Sequence, residues 1–271
     1  MLLSYLKSTG IFVSRLYVYR SMIIAMALRE IKSRYAGTTF GLVWSLAQPL
    51  AMMVIYWFVF SVGLKIQTEA GMPFVIVFLA ALIPWTMFSE ALTASTNAIS
   101  GNPHLVKKTV FPTEILPMVN LVVGLVSHTI MLFILVVLLA LYGIPFTAHF
   151  FQFLYYLAAL CVLTLGLSWV CSALNVFFRD TGHILQVVLN MWFWLTPIVW
   201  SVQLIPPQYR IIVKLNPMFY IVEGYKASLV YHGPMWQDYG TGIYFWGVSL
   251  IVCLSAVSVF RRLKPEFAEV L

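Results

Sequence analysis

The stretch ILPMVNLVVGLVSHTIMLFILVVLLAL, at residues 115–141, decides the fold class. No Asp, Glu, Lys or Arg interrupts it. A helix of about 20 apolar residues crosses the hydrocarbon core of a bilayer. The stretch therefore predicts a membrane-spanning helix.

The composition of the whole chain agrees with this prediction. Hydrophobic residues make up 62% of the 271 positions and charged residues 9%, against roughly 45–50% and about 25% in soluble domains. A water-soluble fold could not cover so much apolar surface. We expect an all-α integral membrane protein in which residues 1–271 form one transmembrane domain.

Six stretches are long and apolar enough to cross the bilayer. They are residues 41–63, 73–95, 115–141, 151–178, 184–202 and 241–260. A seventh apolar stretch, residues 205–231, contains four charged residues and is broken by prolines, including Pro217 after Asn216. Because charges and helix breaks are tolerated at membrane depth only where protein shields them, we predict a re-entrant helical hairpin here, between spans 5 and 6.

The basic residues predict the orientation. With six crossings, twelve of the 16 Lys and Arg residues fall on the side of the two termini. Cytoplasmic segments of membrane proteins carry an excess of Lys and Arg, so both termini are expected in the cytoplasm. The net charge of +7 is spread thinly between apolar runs, which is not the clustered basic surface of a nucleic-acid-binding protein.

Residues 20–36 read as an amphipathic helix on the cytoplasmic surface. Arg29, Glu30 and Arg34 point away from its apolar face. That apolar face consists of Ile24, Ala27, Leu28, Ile31 and Tyr35. The alternative is a simple continuation of the first span, and Gly37 and Gly41 would then form a flexible junction at its mouth.

The second cytoplasmic loop, residues 100–112, has prolines around a short basic and apolar core that includes Lys107 and Lys108. It can form a brief helix against a soluble partner. The alternative is a connector whose lysines only satisfy the orientation rule.

Enzymatic motifs are absent from the sequence. There is no GxxxxGK[ST] loop to bind nucleotide phosphates and no GxSxG or HExxH pattern. Any work driven by ATP therefore needs a partner subunit. Glu90 and His128 are ionisable groups inside predicted spans; Glu90 suits a gating role or an interfacial hydrogen bond, and His128 suits a hydrogen bond between helices.

Several short stretches, taken in order, resemble the permease subunits of ABC exporters for O-antigen, teichoic acid and capsule polysaccharide. They are LREIKSRY (28–35), GLVW (41–44) with Pro49, residues 102–108 with FPTEILP (111–117), FRD (178–180), LTPI (195–198), LNP (215–217) and IVEG (221–224). The resemblance covers nearly the whole chain.

The resemblance implies a homodimer of six-span subunits in a bacterial inner membrane, bound to two copies of an ABC ATPase that carries the ATP and Mg²⁺. This chain would hold no cofactor or metal and no catalytic residue. Its substrate would be a lipid-linked polysaccharide, first of all an O-antigen, with teichoic acid or capsule polysaccharide as the alternative. A permease for drugs or small lipids and a membrane glycosyl or acyl transferase are the other readings.

Candidate residues come from the resemblance and from side-chain chemistry. The resemblance implies the ATPase contacts and a gate after the fifth span. Positive charge near the cytoplasmic interface gives the lipid-diphosphate candidates, and aromatic or ionisable character inside the spans gives the other conduit candidates. ATPase contacts are expected at Arg29, Glu30, Arg34, Asn102, His104, Lys107 and Lys108. Candidates for the lipid diphosphate are Arg29, Arg34, Lys107 and Lys108. Candidates for the conduit or its gate are Tyr56, Trp57, Phe60, Glu90, Trp192, Trp194, Asn216 and Pro217.

Overall fold

The computed structural model describes residues 17–35, 43–63, 65, 68, 71–107, 111–234 and 238–271. Within these ranges the fold is entirely helical, with no strand. Gly37, Gly41 and Lys108 lie outside the described residues, as does the side chain of Arg34.

The helices follow the apolar stretches of the sequence. In chain order they are α1 (Arg20–Tyr35), α2 (Val43–Trp57), α3 (Phe74–Thr96), α4 (Pro103–Val106), α5 (Ile115–Leu141), α6 (Phe153–Phe177), α7 (Thr181–Leu195), α8 (Arg210–Lys214), α9 (Pro217–Lys226), α10 (Tyr239–Leu263) and α11 (Phe267–Val270). π-helical turns extend α2 through Phe58–Gly63 and α9 through Ala227–Tyr231. A 3₁₀ turn, Ala148–Gln152, leads into α6, and another, Lys264–Glu266, joins α10 to α11.

Four helical stretches are long and apolar enough to cross a membrane. They are Phe74–Thr96, Ile115–Leu141, Ala148–Phe177 and Tyr239–Val270. They coincide with the second, third, fourth and sixth predicted spans, which confirms those four predictions. Helices α2 and α7 have 15 residues each, which is about 22 Å of helix against a hydrocarbon core of about 30 Å.

Helix α7 is shorter than the sequence predicts. It ends at Leu195, whereas the predicted span continues to residue 202. Thr196 is extended, with φ −98° and ψ 135°, because it precedes Pro197 and a proline disfavours helical backbone in the residue before it. The prediction overlooked this stop signal.

Helix α3 is the centre of the bundle. Its most apolar 18 residues are 72% buried by protein, whereas the most apolar 18 residues of α5 and of α10 are 33% and 28% buried. It packs against α5, α6 and α9, and the resulting core includes Phe78, Met87 and Phe88. The flank of α3 that faces α2 and α7 is less covered.

Helix α1 packs against the start of α5. Ile23 and Ala27 are buried there against Ile115, Val119 and Val123. Ile24 and Leu28, which the sequence places on the apolar face, are 53% and 54% exposed. Helix α1 therefore contacts protein through Ile23 and Ala27, while Ile24 and Leu28 of its apolar face stay exposed.

The chain reverses between successive long helices, so α1, α4 and α11 gather at one end of the bundle. Phe267 of α11 contacts Phe177 at the end of α6, and α1 meets the start of α5. We call this the basic end because its exposed residues include Arg29, Lys107 and Arg262.

The opposite end carries the helical segment between α7 and α10, residues 202–231, which we call the hairpin. It is broken at Asn216, between α8 and α9, where the sequence predicts the break. Pro217 begins α9 without needing a hydrogen-bond partner for its nitrogen, and the Asn216 side chain caps the helix by accepting from the Met218 N–H. We call this the hairpin end of the bundle.

Candidate functional site

A groove of about 660 Å³ runs along the less covered flank of α3, between α2 and α7. Helix α3 lines it with residues spaced three or four apart, so that they share one face. Its lining includes Met52, Tyr56, Leu82, Trp85, Thr86, Ser89, Glu90, Thr93, Asn97, Gln186, Leu189, Asn190, Phe193 and Trp194.

The groove changes character along its length. Helices α3 and α7 run in opposite directions, so Thr93, Asn97 and Gln186 lie toward the basic end, while Trp85 and Phe193 lie toward the hairpin end. The wall is therefore rich in hydroxyl, amide and carboxylate groups at one end and in aromatic rings at the other. Along its length, such a surface offers first hydrogen bonds and then flat apolar faces to a ligand that has both polar groups and apolar faces.

Aromatic contacts join the three helices of the groove. The Trp85 ring lies 5.7 Å from Phe193 and 6.4 Å from Trp192, centroid to centroid. Tyr56 of α2 lies 5.0 Å from Phe78 and 6.2 Å from Phe193. These edge-on and tilted contacts position α2 and α7 on α3.

A polar network closes the groove at its basic end. Asn175 of α6 donates through Nδ2 to Asn97 Oδ1 at 3.2 Å and to Ser100 Oγ at 3.1 Å. Its own Oδ1 accepts from the Gly182 N–H at 3.2 Å. Because Asn175 is buried, these bonds satisfy a side chain that would otherwise be costly to bury, and they fix the start of α7 beside the end of α3.

The hairpin is fastened to α7 and to the turn that follows it. Trp192 Nε1 donates to Asn216 Oδ1 at 2.6 Å, and Asn216 Nδ2 donates to Thr196 Oγ1 at 2.8 Å. At the other end of α9 the buried Lys226 donates to the Pro197 carbonyl at 2.5 Å and to Glu223 Oε1 at 2.9 Å.

A second link joins the hairpin to α5. The buried His128 forms a 2.9 Å hydrogen bond with the Tyr225 hydroxyl, as expected for this histidine. The hairpin therefore contacts α7 and α5 through specific polar bonds as well as through its apolar core.

The structure brings only part of the predicted conduit set together. Tyr56, Glu90 and Trp194 line the groove, and Trp192 and Asn216 form the junction behind it, next to Pro217. Trp57 lines a separate depression of about 610 Å³ near the hairpin end. Phe60 stacks on Phe74 at 5.5 Å and does not line the groove.

The predicted ATPase contacts lie on two elements of the basic end. On α1, Arg29 is exposed and Glu30 is half-buried. His104 and Lys107 are exposed on and just after α4, and the Asn102 side chain donates to the Ala98 carbonyl at 2.9 Å. Met26 of α1 and Phe111 pack against the buried clusters under both elements, so one apolar base supports both candidate surfaces.

Sequence reasoning missed Asn175, Lys226 and the polar wall residues Gln186 and Asn190. Asn175 and Lys226 bond residues distant in the chain, and Gln186 and Asn190 line a groove formed with α2 and α3. No local pattern marks such partners. Among the described residues, no group of three or more His, Cys, Asp and Glu side chains could hold a metal ion.

Comparison with known proteins identifies the family. Residues 22–230 match the family described as ABC-2 type transporter. The O-antigen export system permease protein RfbA of Myxococcus xanthus is 31% identical over 95% of this chain and 98% of its own length, and RfbA of Klebsiella pneumoniae is 29% identical over 92% and 95%. The polysialic acid transport protein KpsM of Escherichia coli is 25% identical over 92% of this chain and 95% of its own length. This chain belongs to the ABC-2 type transporter family, as a membrane permease subunit.

Proposed function

We propose that this chain is the membrane subunit of an ATP-driven exporter that moves a lipid-linked polysaccharide, an O-antigen, across the inner membrane of a bacterium. The observation that carries the proposal is the 31% identity to an O-antigen export permease over 98% of that protein's length. A groove with a polar end and an aromatic end supports it.

The proposed topology has six crossings. The four long helices supply four of them. Helix α2, prolonged by its π-helical turn, and α7, prolonged by the turn at residues 196–201, supply the other two. The hairpin would then enter the membrane from outside and return, sheltered by α3 and α6, which pack against α9. The excess of Lys and Arg at the basic end supports a cytoplasmic location for both termini.

We assign the groove to the passage of the glycan. Sugars present apolar C–H faces to aromatic rings and hydroxyl groups to polar side chains. Phe193 and the exposed Trp194 can stack on the former, and Glu90, Asn190 and Gln186 can bond the latter. The groove of one chain is open on one side. We therefore include a homodimer in the proposal, because a second copy could close the groove into a conduit.

Energy would come from two ATPase subunits, which bind the ATP and Mg²⁺. The exposed His104 and Lys107 near α4, together with Arg29 on α1, form the surface proposed to contact them. Arg29, Arg34, Lys107 and Lys108 are also candidates for the anionic lipid diphosphate, because cations at a cytoplasmic interface attract such groups.

Deletion of the gene tests this function. We expect loss of surface polysaccharide and accumulation of lipid-linked glycan on the cytoplasmic face, with recovery on expression of the intact chain. Expression of the chain without its loop residues 100–107 serves as the matched control and should not restore export. Normal surface polysaccharide in the deletion strain would refute the proposal.

Capsule polysaccharide is the second candidate, because KpsM is also similar along nearly the full length. The accumulated polymer separates the two. An O-antigen on its lipid carrier supports the first candidate, and an acidic capsular polymer supports the second. Accumulation of a drug or a small lipid without any glycan would contradict both.

A further inference from the structure

The buried residue Glu114 links the start of α5 to α6 and to the segment after α10 at the basic end. Glu114, just before α5, is 1% exposed. Its carboxylate forms an ion pair with the ammonium group of Lys264, which follows α10. The indole Nε1 of Trp169, on α6, donates to the Glu114 carbonyl at 3.0 Å. Residues 150 positions apart in the chain are thus connected directly.

The aromatic side chain of Phe267 also holds the segment that follows α10. Phe267 of α11 is 1% exposed. Its ring lies 5.5 Å from Phe260 at the end of α10 and 6.1 Å from Phe177 at the end of α6. Residues 264–271 therefore fold back over the ends of α6 and α10, held by one ion pair and one buried ring.

Helix α4 packs against this folded-back segment. Val106 is buried in the same cluster as Phe267 and Leu116, and α4 and α11 are in contact. His104 and Lys107 remain exposed on and just after α4. A helix of four residues has few hydrogen bonds of its own, so its position depends on what lies beneath it.

We propose that Glu114, Lys264 and Phe267 are positioning residues that join α4 to α10, so that a displacement of α4 by the ATPase partner is carried into the last long helix. The proposal rests on the proposed function, because it takes α4 to be the surface that the ATPase pushes. It adds the route by which the push reaches the membrane: α4, the cluster around Phe267, the Glu114–Lys264 pair, and α10.

The burial of Glu114 makes this route stiff. The Glu114 side chain is buried, whereas about a third of the Lys264 side chain is exposed. Separating the two groups would leave the carboxylate as an uncompensated buried charge, which is strongly unfavourable. The pair therefore resists separation when α4 moves, and α10 follows. An exposed ion pair at the same end would separate more easily, because water replaces its contacts at little cost in free energy.

The test compares export with ATP hydrolysis in vesicles that contain the full-length chain and its co-expressed ATPase. For Lys264→Met and Phe267→Ala we expect ATP hydrolysis to continue and polymer exported per ATP to fall at least about five-fold, the lower range of coupling between sites. The matched controls are Arg262→Gln and Val270→Ala, which alter exposed residues of the same two segments. Both controls, and the conservative Lys264→Arg, should keep the normal ratio.

A second variant covers the case in which Lys264→Met does not fold. Glu114→Gln with Lys264→Met removes both charges, so no ion is left buried and alone. We expect this double variant to assemble with the ATPase and to show the same low ratio. A normal ratio in the double variant, or in a folded Phe267→Ala, would overturn the route. Failure of the unaltered chain to export any polymer would instead count against the proposed function.

Discussion

Trp192 Nε1 and Asn216 Oδ1 are joined by a 2.6 Å hydrogen bond. The same Asn216 oxygen accepts the Met218 N–H at 2.9 Å, and its amide donates to Thr196 Oγ1 at 2.8 Å. One side chain therefore caps α9 and ties it both to α7 and to the turn that follows α7. The hairpin and α7 should move as one unit.

Asn216→Ala should loosen this unit. The loss of the helix cap costs about 1 kcal/mol, and the Trp192 N–H loses its partner, which costs about 1–3 kcal/mol when the donor is buried. We expect a lower melting temperature in detergent and faster proteolysis within the hairpin. Gln208→Ala, at an exposed position of the same hairpin, is the control, and equal melting temperatures for the two variants would contradict the role of Asn216.

Gly224→Ala should separate α9 from α6. A Cβ atom at Gly224 would lie 2.2 Å from Tyr156 Cε1 and 2.3 Å from Cδ1, and the Tyr156 ring is buried. Because overpacking of this kind costs about 1–3 kcal/mol or more, we expect lower stability and reduced export. Tyr156→Ala in the same chain should restore part of the stability by making room.

The control for this substitution is Gly247→Ala on α10, where nothing lies within 4 Å of the added Cβ. There alanine should be neutral or slightly stabilising, since it favours helix more than glycine does. Equal destabilisation at both positions would show that the Tyr156 contact is not the cause.

Much of the helical layout could be predicted, because it follows from local properties of the sequence. Apolar stretches gave the positions of α3, α5, α6 and α10, and the Asn216 and Pro217 pair gave the break in the hairpin. The predicted fifth span runs past the end of helix α7, because the apolar residues continue past Thr196 and Pro197 while the backbone does not stay helical. The residues of α1 that pack against α5 are set by the surface of α5, and the periodicity of α1 alone does not specify them.

The candidate site was harder to predict, because it depends on pairs distant in sequence. Tyr56, Glu90 and Trp194 were singled out as aromatic or ionisable residues within apolar stretches, and these properties can be read directly from the sequence. Asn175 meets Asn97 only when α6 packs beside α3. Glu114 lies in a segment that reads as an exposed loop, and only the fold buries it against Lys264.

Glu90→Gln should reduce export while leaving the protein stable. Glu90 is exposed in the groove, so its charge makes a small contribution to folding, whereas hydrogen bonds from sugar hydroxyls to a carboxylate are worth about 1.5–3 kcal/mol each. We expect export to fall by about ten-fold with an unchanged melting temperature. Glu269→Gln, outside the groove, should export normally, and normal export by Glu90→Gln would remove this carboxylate from the substrate path.

Asp238 should make the stability of the hairpin end depend on pH. It caps α10 by accepting from the Thr241 N–H at 3.2 Å, and Lys214 of α8 donates to it at 2.6 Å. The hydrogen bond from Lys214, followed by that from Thr241, lowers the pKa of Asp238 from 3.8 to about 2. A lowered pKa in the folded state adds stability that is complete above the unfolded pKa and is lost as the pH falls through the folded one.

The contribution is therefore present above about pH 4 and disappears toward pH 2. Because both side chains are partly exposed, it should stay below about 1 kcal/mol and decrease with added salt. Asp238→Asn keeps a good cap but loses the charge, so its melting temperature should lie below that of the unaltered chain at pH 5 and approach it as the pH falls through the window. Melting curves in detergent across this range measure the difference, and a gap that stays constant down to pH 2 would show that the Lys214–Asp238 pair does not stabilise the hairpin end.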